Sequence, residues 1–417
     1  MDSSSSSSTS GDQTLLMYLG DDPSVQDQIS RKSVAVKKKG KFLSTQARIP
    51  QSVIYDSAEV SLVRVVGRNR IPVIPLTEIY LFPDLNIDNP GRANSPRSGA
   101  SMQVYRGLWN GCKVALKYMK TEAFTGDDRV TKEEAVLKYK KGLNNIVHEV
   151  DLMGYKPLRQ HRNITKLLAI SFGSAEQALG RDSQQCKVIE ALVRPILVVE
   201  LAHESFADLG LFFDLHNNKS LSDPMPFDLT ASLIADIADG VAVLHSFSIT
   251  HADLKPENVL IFPEPASSTG IVAKISDFGL SGCDIDDPIL IDRTERMPGS
   301  ETRGGTLAWC APECLGSGTT NDPQHESPRD IYSFGLLATY IALRGRHPIT
   351  YAKDLMHVKL SDLMVETATQ LLAAYCSDQP LVDTQWSKVA EIARTTLRMK
   401  PEDRIQTLNG IRRLLYN

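Results

Sequence analysis

Cysteine is scarce in this chain and carries no pattern. Six occur in 417 residues, Cys112, Cys186, Cys283, Cys310, Cys314 and Cys376. None forms a CxxC pair, which excludes a zinc-ribbon site and a disulfide-dense secreted scaffold, so reduced thiols are expected. Charge of one sign is not in excess either: the net charge is -4 and the pI is near 6.2. No nucleic-acid or membrane-surface partner is therefore expected. Long apolar runs are missing too. The best, IYSFGLLATYIAL from Ile331 to Leu343, is too short to span a bilayer and reads as a buried core helix. The start, MDSSSSSSTSGDQ, lacks a charged segment followed by an apolar core, so it is not read as a secretory signal. A soluble cytoplasmic protein is the expectation, and the basic run RKSVAVKKKGKF leaves a nuclear address open.

What remains is an ordinary globular composition, 42% hydrophobic and 23% charged, long enough for one large domain or two modest ones. Residues 1–50 are Ser-rich and then basic, with few aromatics, and are expected to be disordered. Residues 51–96 form an extension of unreadable role, in which VSLVRVV and IPVIPLTEIYLF are rich in β-branched residues and prolines. Such composition predicts short strands or an extended strap. DNPGRANSPRSG then breaks the chain with turn formers. QVYRGLW, KVALKYM and ILVVELA read as strands. Further on, DLTASLIADIADGVAVLHSF places Leu233, Ile237, Val241 and Leu244 at helical spacing. Strand-rich first and helix-rich second, the chain divides near Leu201.

Six short motifs follow one another along that body: VALKYMK with Lys117, HADLKPENVLIF from His251, KISDFGLS with Asp277, GGTLAWCAPECL with Glu313, RDIYSFGLL with Asp330 and RMKPEDRIQTL with Arg404. Singly, most are polar turns or solvated charges. In this order and spacing the chain from Arg97 to Tyr416 resembles a eukaryotic-type protein kinase. VYRGLWNGCKVALKYMK and TLAWCAPE look most like the tyrosine-kinase-like branch. The resemblance implies an α+β, bilobal protein-kinase-like fold. Its antiparallel-sheet N-lobe with one helix would cover about 97–200 and its mostly helical C-lobe about 201–416.

The resemblance also implies roles. Lys117 would pair the α/β-phosphates of ATP, and Glu149, on a helix with Val150 and Met153 facing inward, would hold that lysine. Their separation is roughly double the family's usual one, so TEAFTGDDRVTKEEAVLKYKKG reads as an inserted or lengthened helical segment. Asp253 would accept the proton of the substrate hydroxyl, and Lys255, typical of serine/threonine kinases, would neutralise charge on the transferring phosphoryl group. Asn258 and Asp277 would be the Mg2+ ligands. Adenine would lie between Val104 and Ala115 on one side and Leu260 on the other, with the backbone of Glu200 and Ala202 at its edge. Val199 would guard the back of the pocket. Thr306 would sit near the catalytic Asp. Glu313 with Arg404, and Asp330 beneath the catalytic loop, would be structural.

Two departures stand out. The family's glycine-rich loop falls on RSGASMQV, where Arg97, Gly99 and Met102 occupy the three glycine positions. Only Gly99 keeps the residue that lets backbone N–H groups approach phosphate. Ala252 replaces the arginine that usually reads a phosphate on the activation segment. The expected function is ATP- and Mg2+-dependent phosphorylation of serine or threonine hydroxyls on protein substrates. The alternative is a pseudokinase scaffold that binds nucleotide weakly. A kinase of small molecules is disfavoured by GTLAWCAPE.

Overall fold

The computed structural model describes residues 58–81, 97–98, 102–119, 132–173, 194–217, 225–283, 307–314, 326–348 and 383–417. The expected tail (1–50), Gly99 and Thr306 lie outside them. The chain divides into two compact units, one from residues up to Lys156 with Lys166–Leu201, the other from Pro157–Thr165 with Ala202–Asn417. No helix among the described residues is long and apolar enough to cross a membrane.

Six antiparallel strands carry the first unit: β1 (Ile79–Leu81), β2 (Arg97–Ser98), β3 (Met102–Trp109), β4 (Cys112–Met119), β5 (Leu167–Phe172) and β6 (Pro195–Glu200). They run in the order β1-β3-β4-β6-β5, with β2 alongside β3. Asn110 and Gly111 turn β3 into β4, both at positive φ (50° and 74°). An Asn-Gly pair adopts that conformation at least cost, and its twist matches the flanking strands. Along β4, Val114, Leu116 and Tyr118 alternate into the core with Ile196 and Val198 of β6. The intervening residues Ala115 and Lys117 face the other way, opposite Val199 and Leu197 of β6. The period of two therefore takes Lys117 out of the apolar core.

Two helices belong to this unit: α1 (Ala58–Asn69) and α2 (Lys132–Gly154); α2 packs on β5, and α1 packs on α2. α2 buries Tyr139, Leu143, Ile146, Val150 and Met153, a 4-3-4-3 spacing that keeps one face inward. α1 corrects the strand reading of VSLVRVV. Leu62, Val65 and Val66 are buried, spaced i, i+3, i+4. The 3.6-residue period and packing outweigh the modest β preference of valine. IPVIPLTEIYLF, expected as short strands or an extended strap, follows β5 at Pro72 and Ile74, makes one 3-10 turn at Leu76–Glu78 and is a strand again at Ile79–Leu81. Ile74 N–H donates to Ile170 O (2.9 Å) and Ile170 N–H to Pro72 O (2.8 Å) along β5, and Ile79–Leu81 pairs with β3. β1, which is Ile79–Leu81, and β5 are at opposite ends of the sheet order. A flat five-strand sheet would be about 19 Å wide, whereas the five steps from Ile74 to Ile79 reach at most about 17 Å. The sheet must curl, and Ile74, Ile79 and Leu81 share one core cluster with β4 and β6.

The second unit is mostly helical: α3 (Lys156–Gln160) leads into it, followed by α4 (Leu209–Asn217), α5 (Phe227–Ser246), α6 (Glu326–Ala342), α7 (Asp383–Thr396) and α8 (Ile411–Tyr416). α5 is central. It buries Leu233, Ile237, Val241 and Leu244 and much of its remaining circumference. α6, which contains all of the expected IYSFGLLATYIAL core helix but its last residue, buries Ile331, Phe334, Leu337 and Ile341 completely. Asp236 of α5, 1% exposed, accepts from Arg162 (3.0 Å), Arg412 of α8 (2.8 Å) and the Ala273 N–H (3.0 Å). A buried carboxylate is tolerable only with such partners. Short ribbons complete the unit: β7 (Ile249–Thr250) with β10 (Gly282–Cys283), and β8 (Val259–Pro263) with β9 (Ile271–Ile275).

Candidate active site

In the first unit Lys117 Nζ donates to Glu149 Oε1 at 2.5 Å, with side chains 14% and 4% exposed. A lysine on a sheet face and a glutamate on a neighbouring helix neutralise each other where neither is well hydrated. Val104 sits opposite Lys117 on β3, and Ala115, buried, opposite Val199 on β6. Glu200 ends β6; its N–H donates to Lys166 O (3.1 Å), and its carboxylate accepts the Lys166 N–H (2.9 Å). The structure thus brings Val104, Ala115, Lys117, Glu149 and Glu200 into one unit. Met102 begins β3, paired with Met119.

The second unit holds the HADLKPEN loop between β7 and β8. Asp330 of α6, 1% exposed, anchors it. Its Oδ2 accepts the His251 N–H (2.7 Å) and its Oδ1 the Ala252 N–H (3.0 Å). His245 at the end of α5 adds a ring contact, Nε2 to Asp330 Oδ2 at 2.9 Å. His251 Nδ1 accepts the Asp253 N–H (3.3 Å), which leaves Nε2 to donate to Ser276 O (2.9 Å). The imidazole is buried and its ring meets Phe278 edge-on, 5.5 Å between centroids. One histidine therefore ties the loop to the residue preceding Asp277.

Around Asp253 the contacts are close. Lys255 Nζ donates to its Oδ2 at 2.6 Å, and Asn258 Nδ2 donates to the same oxygen (3.0 Å) and to Asp253 O (2.8 Å). The Asp253 side chain is 9% exposed. The carboxylate is thereby oriented by two donors on one oxygen. Asn258, with its amide nitrogen turned to Asp253, directs its oxygen elsewhere. Asn258 O accepts the Ser276 N–H at 2.9 Å and Ser276 Oγ at 3.2 Å, which places Asp277 beside Asn258. Both Ala252 and Asp277 have left-handed backbones, φ 67° and 66°. That conformation suits aspartate better than alanine and marks a backbone held by its surroundings.

Ala202 and Leu260 pack with Phe262 and Val272, and His203 N–H donates to Ile261 O at 2.8 Å. Glu313 and Arg404 pair through two bonds of 2.7 Å each, and Arg404 also reaches the carbonyls of Pro328 (2.8 Å) and Arg398 (2.8 Å). Near the loop, burial above all pushes the Cys310 thiol up to about 11, with Cys314 and then Asp253 adding to it.

The donor set suits a hard divalent cation. No group of three or more His, Cys, Asp or Glu side chains among the described residues could hold a metal by itself. One carboxylate (Asp277) and one amide oxygen (Asn258) instead match Mg2+, which takes few protein ligands and keeps water or phosphate oxygens. Sequence reasoning missed His245, the tautomer of His251 and the α1 helix. His245 lies six residues before His251 at a helix end, a position that propensity cannot assign to Asp330.

The protein kinase domain family matches residues 98–414. The chain is 28% identical over 300 residues to the probable serine/threonine-protein kinase roco7 of Dictyostelium discoideum, covering 71% of this chain and 9% of that protein. It is 39% identical over 127 residues to the receptor-interacting serine/threonine-protein kinase 3 of Rattus norvegicus, covering 30% of this chain and 23% of the relative. It is 29% identical over 244 residues to the dual specificity protein kinase zakA of Dictyostelium discoideum, covering 56% of this chain and 24% of the relative. The chain thus spans less than a quarter of each of these relatives. With residues 98–414 matched, the chain belongs to the eukaryotic-type protein kinase family, of the tyrosine-kinase-like kind.

Proposed function

We propose that this chain transfers the γ-phosphoryl group of ATP to serine or threonine hydroxyls of protein substrates, and that it depends on Mg2+. The observation that carries the reading is the Asp253 carboxylate, held by Lys255 and Asn258 in a loop anchored by buried Asp330. A scaffold that only bound nucleotide would have no need of that arrangement. Asp253 orients the hydroxyl oxygen toward the γ-phosphorus and accepts its proton. The new P–O bond forms as the bond to the β-phosphate oxygen breaks, and ADP leaves. Lys255 balances charge on the transferring group, and Lys117, fixed by Glu149, binds the α/β-phosphates. Asn258 and Asp277 would hold Mg2+, which neutralises phosphate charge.

Lys255 and the serine/threonine kinase names of two of these relatives favour Ser and Thr over Tyr as acceptors. Val104, Ala115, Leu260 and the Glu200–Ala202 backbone are assigned to adenine, and residues 97–416 to the catalytic domain. We assign the protein to the cytoplasm. Incubation of the full chain with labelled ATP, Mg2+ and generic protein substrates tests the reading. Label on serine and threonine, abolished by EDTA, is the expected result. Binding of ATP without transfer would leave a pseudokinase scaffold instead.

A further inference from the structure

We propose that α1 is an in-chain clamp on the helix that carries Glu149. In this view Arg68 and Asn69, acting through Asp151, are positioning residues that keep Glu149 against Lys117. The inference rests on the reading of Lys117 as the phosphate-binding lysine.

The clamp lies outside the stretch that the family matches, residues 98–414. Its apolar stripe, Leu62, Val65 and Val66, is buried, while the Arg68 guanidinium pairs with the Asp151 carboxylate at the end of the helix. Asn69 Nδ2 donates to the same Asp151 oxygen at 3.2 Å. Asp151 is 7% exposed and stands two residues after Glu149. Two helical steps turn the side-chain direction by about 200°. α2 is therefore gripped on opposite sides, by Lys117 through Glu149 and by α1 through Asp151. The two helices meet closely enough to require a glycine: a Cβ on Gly154 would stand 2.8 Å from Asn69 Cβ.

α1 is also anchored to the strands. The Ile71 N–H returns to Val66 O (3.0 Å), Pro72 and Ile74 bond to Ile170 of β5, and Ile79–Leu81 pairs with β3. β3 in turn pairs with β4, which carries Lys117. One continuous segment, Ala58–Leu81, thus links the strand of the lysine to the helix of the glutamate. An ion pair between two elements lasts only while both are docked, so a third element bound to both biases it toward the closed arrangement.

The test is a double-mutant cycle in the full chain. Arg68→Ala with Asn69→Ala is expected to raise the KM for ATP and lower kcat, together by about tenfold in kcat/KM. The KM for the protein substrate should stay unchanged. In a Glu149→Gln background the same pair of changes should weaken Mg2+-ATP binding by less than about twofold, because the group it positions is gone. Arg68→Lys should restore most of the lost activity. Gly154→Ala, which parts the helices without removing charge, should act in the same direction as the α1 variant. Full-size effects of the α1 variant in both backgrounds would mean plain destabilisation and overturn the proposal, as would wild-type kinetics. Hydrogen exchange of residues 143–153 gives an activity-independent readout, in which the α1 variant should exchange faster and an unchanged rate would refute the clamp. Absence of ATP binding by the wild-type protein would refute the phosphoryl-transfer reading instead, leaving the exchange result to decide the clamp.

Discussion

Asp330→Ala should be among the most damaging single substitutions in this protein, although Asp330 is assigned no contact with substrate. Its carboxylate, 2% exposed, accepts the His251 N–H, the Ala252 N–H and His245 Nε2 at 2.7, 3.0 and 2.9 Å. Bonds to a charged acceptor each contribute about 1.5–3 kcal/mol, so three sum to about 4.5–9 kcal/mol before correction. Removing the carboxylate also removes the cost of keeping it from water, and the two backbone N–H groups it leaves recover part of their hydration if the loop loosens. A net loss of about 3–5 kcal/mol is the expected outcome. For a unit of this size that is a fall in Tm of roughly 10 °C. Asp330→Asn keeps one neutral acceptor and should lose about half as much. Thermal unfolding by circular dichroism gives the stabilities, and labelled-ATP turnover reports the loop, since Ala252 adjoins Asp253. An Asp330→Ala protein that melts within about 2 °C of wild type would refute the anchoring argument.

Other consequences follow from the same geometry. Lys117→Met leaves the Glu149 carboxylate, 4% exposed, without its cation, which should destabilise the protein by about 3–5 kcal/mol and abolish the ATP-induced thermal shift; a shift equal to wild type would contradict the phosphate role of Lys117. Phosphatase-treated protein should keep its turnover, because Ala252 offers no cation to a phosphate on the activation segment, where Thr294, Ser300 and Thr302 lie outside the described residues; a large drop reversed by rephosphorylation would show another base reading that phosphate. Burial raises the Cys310 thiol to about 11, so the thiolate is scarce at neutral pH and present only as pH climbs through that value. Its alkylation by iodoacetamide, followed by mass spectrometry, should therefore accelerate about tenfold per pH unit from pH 7 to 10, and a plateau below pH 9 would contradict the burial.

The side-chain pairings of the candidate site were readable because they are written in short, ordered motifs. Asp253, Lys255 and Asn258 lie within six residues, so local chain geometry alone brings them together. Glu149 could be found despite the long separation from Lys117, because Val150 and Met153 announce a helix facing inward. Asp330 and Arg404 were likewise assigned their partners from motif order. The α1 helix was not legible as such: valines at positions 60, 63, 65 and 66 favour strands locally, and only contact with α2 decides the outcome. The left-handed backbone of Ala252 carries no sequence signal, since alanine has no preference for it and the bonds from Asp330 impose it. The link from His251 to Ser276 joins residues 25 apart and depends on a tautomer that composition does not encode.

The most direct test of the account compares Asp253→Asn with the wild-type protein for phosphoryl transfer and Mg2+-ATP binding in parallel. The substitution keeps the shape that Lys255 and Asn258 grip and removes the proton acceptor. Transfer to serine and threonine should fall by roughly 100- to 10,000-fold, with Mg2+-ATP affinity within about twofold of wild type. Wild-type turnover by Asp253→Asn would contradict the assignment of Asp253, and a wild-type protein that binds Mg2+-ATP yet transfers nothing would contradict the claim of catalysis itself.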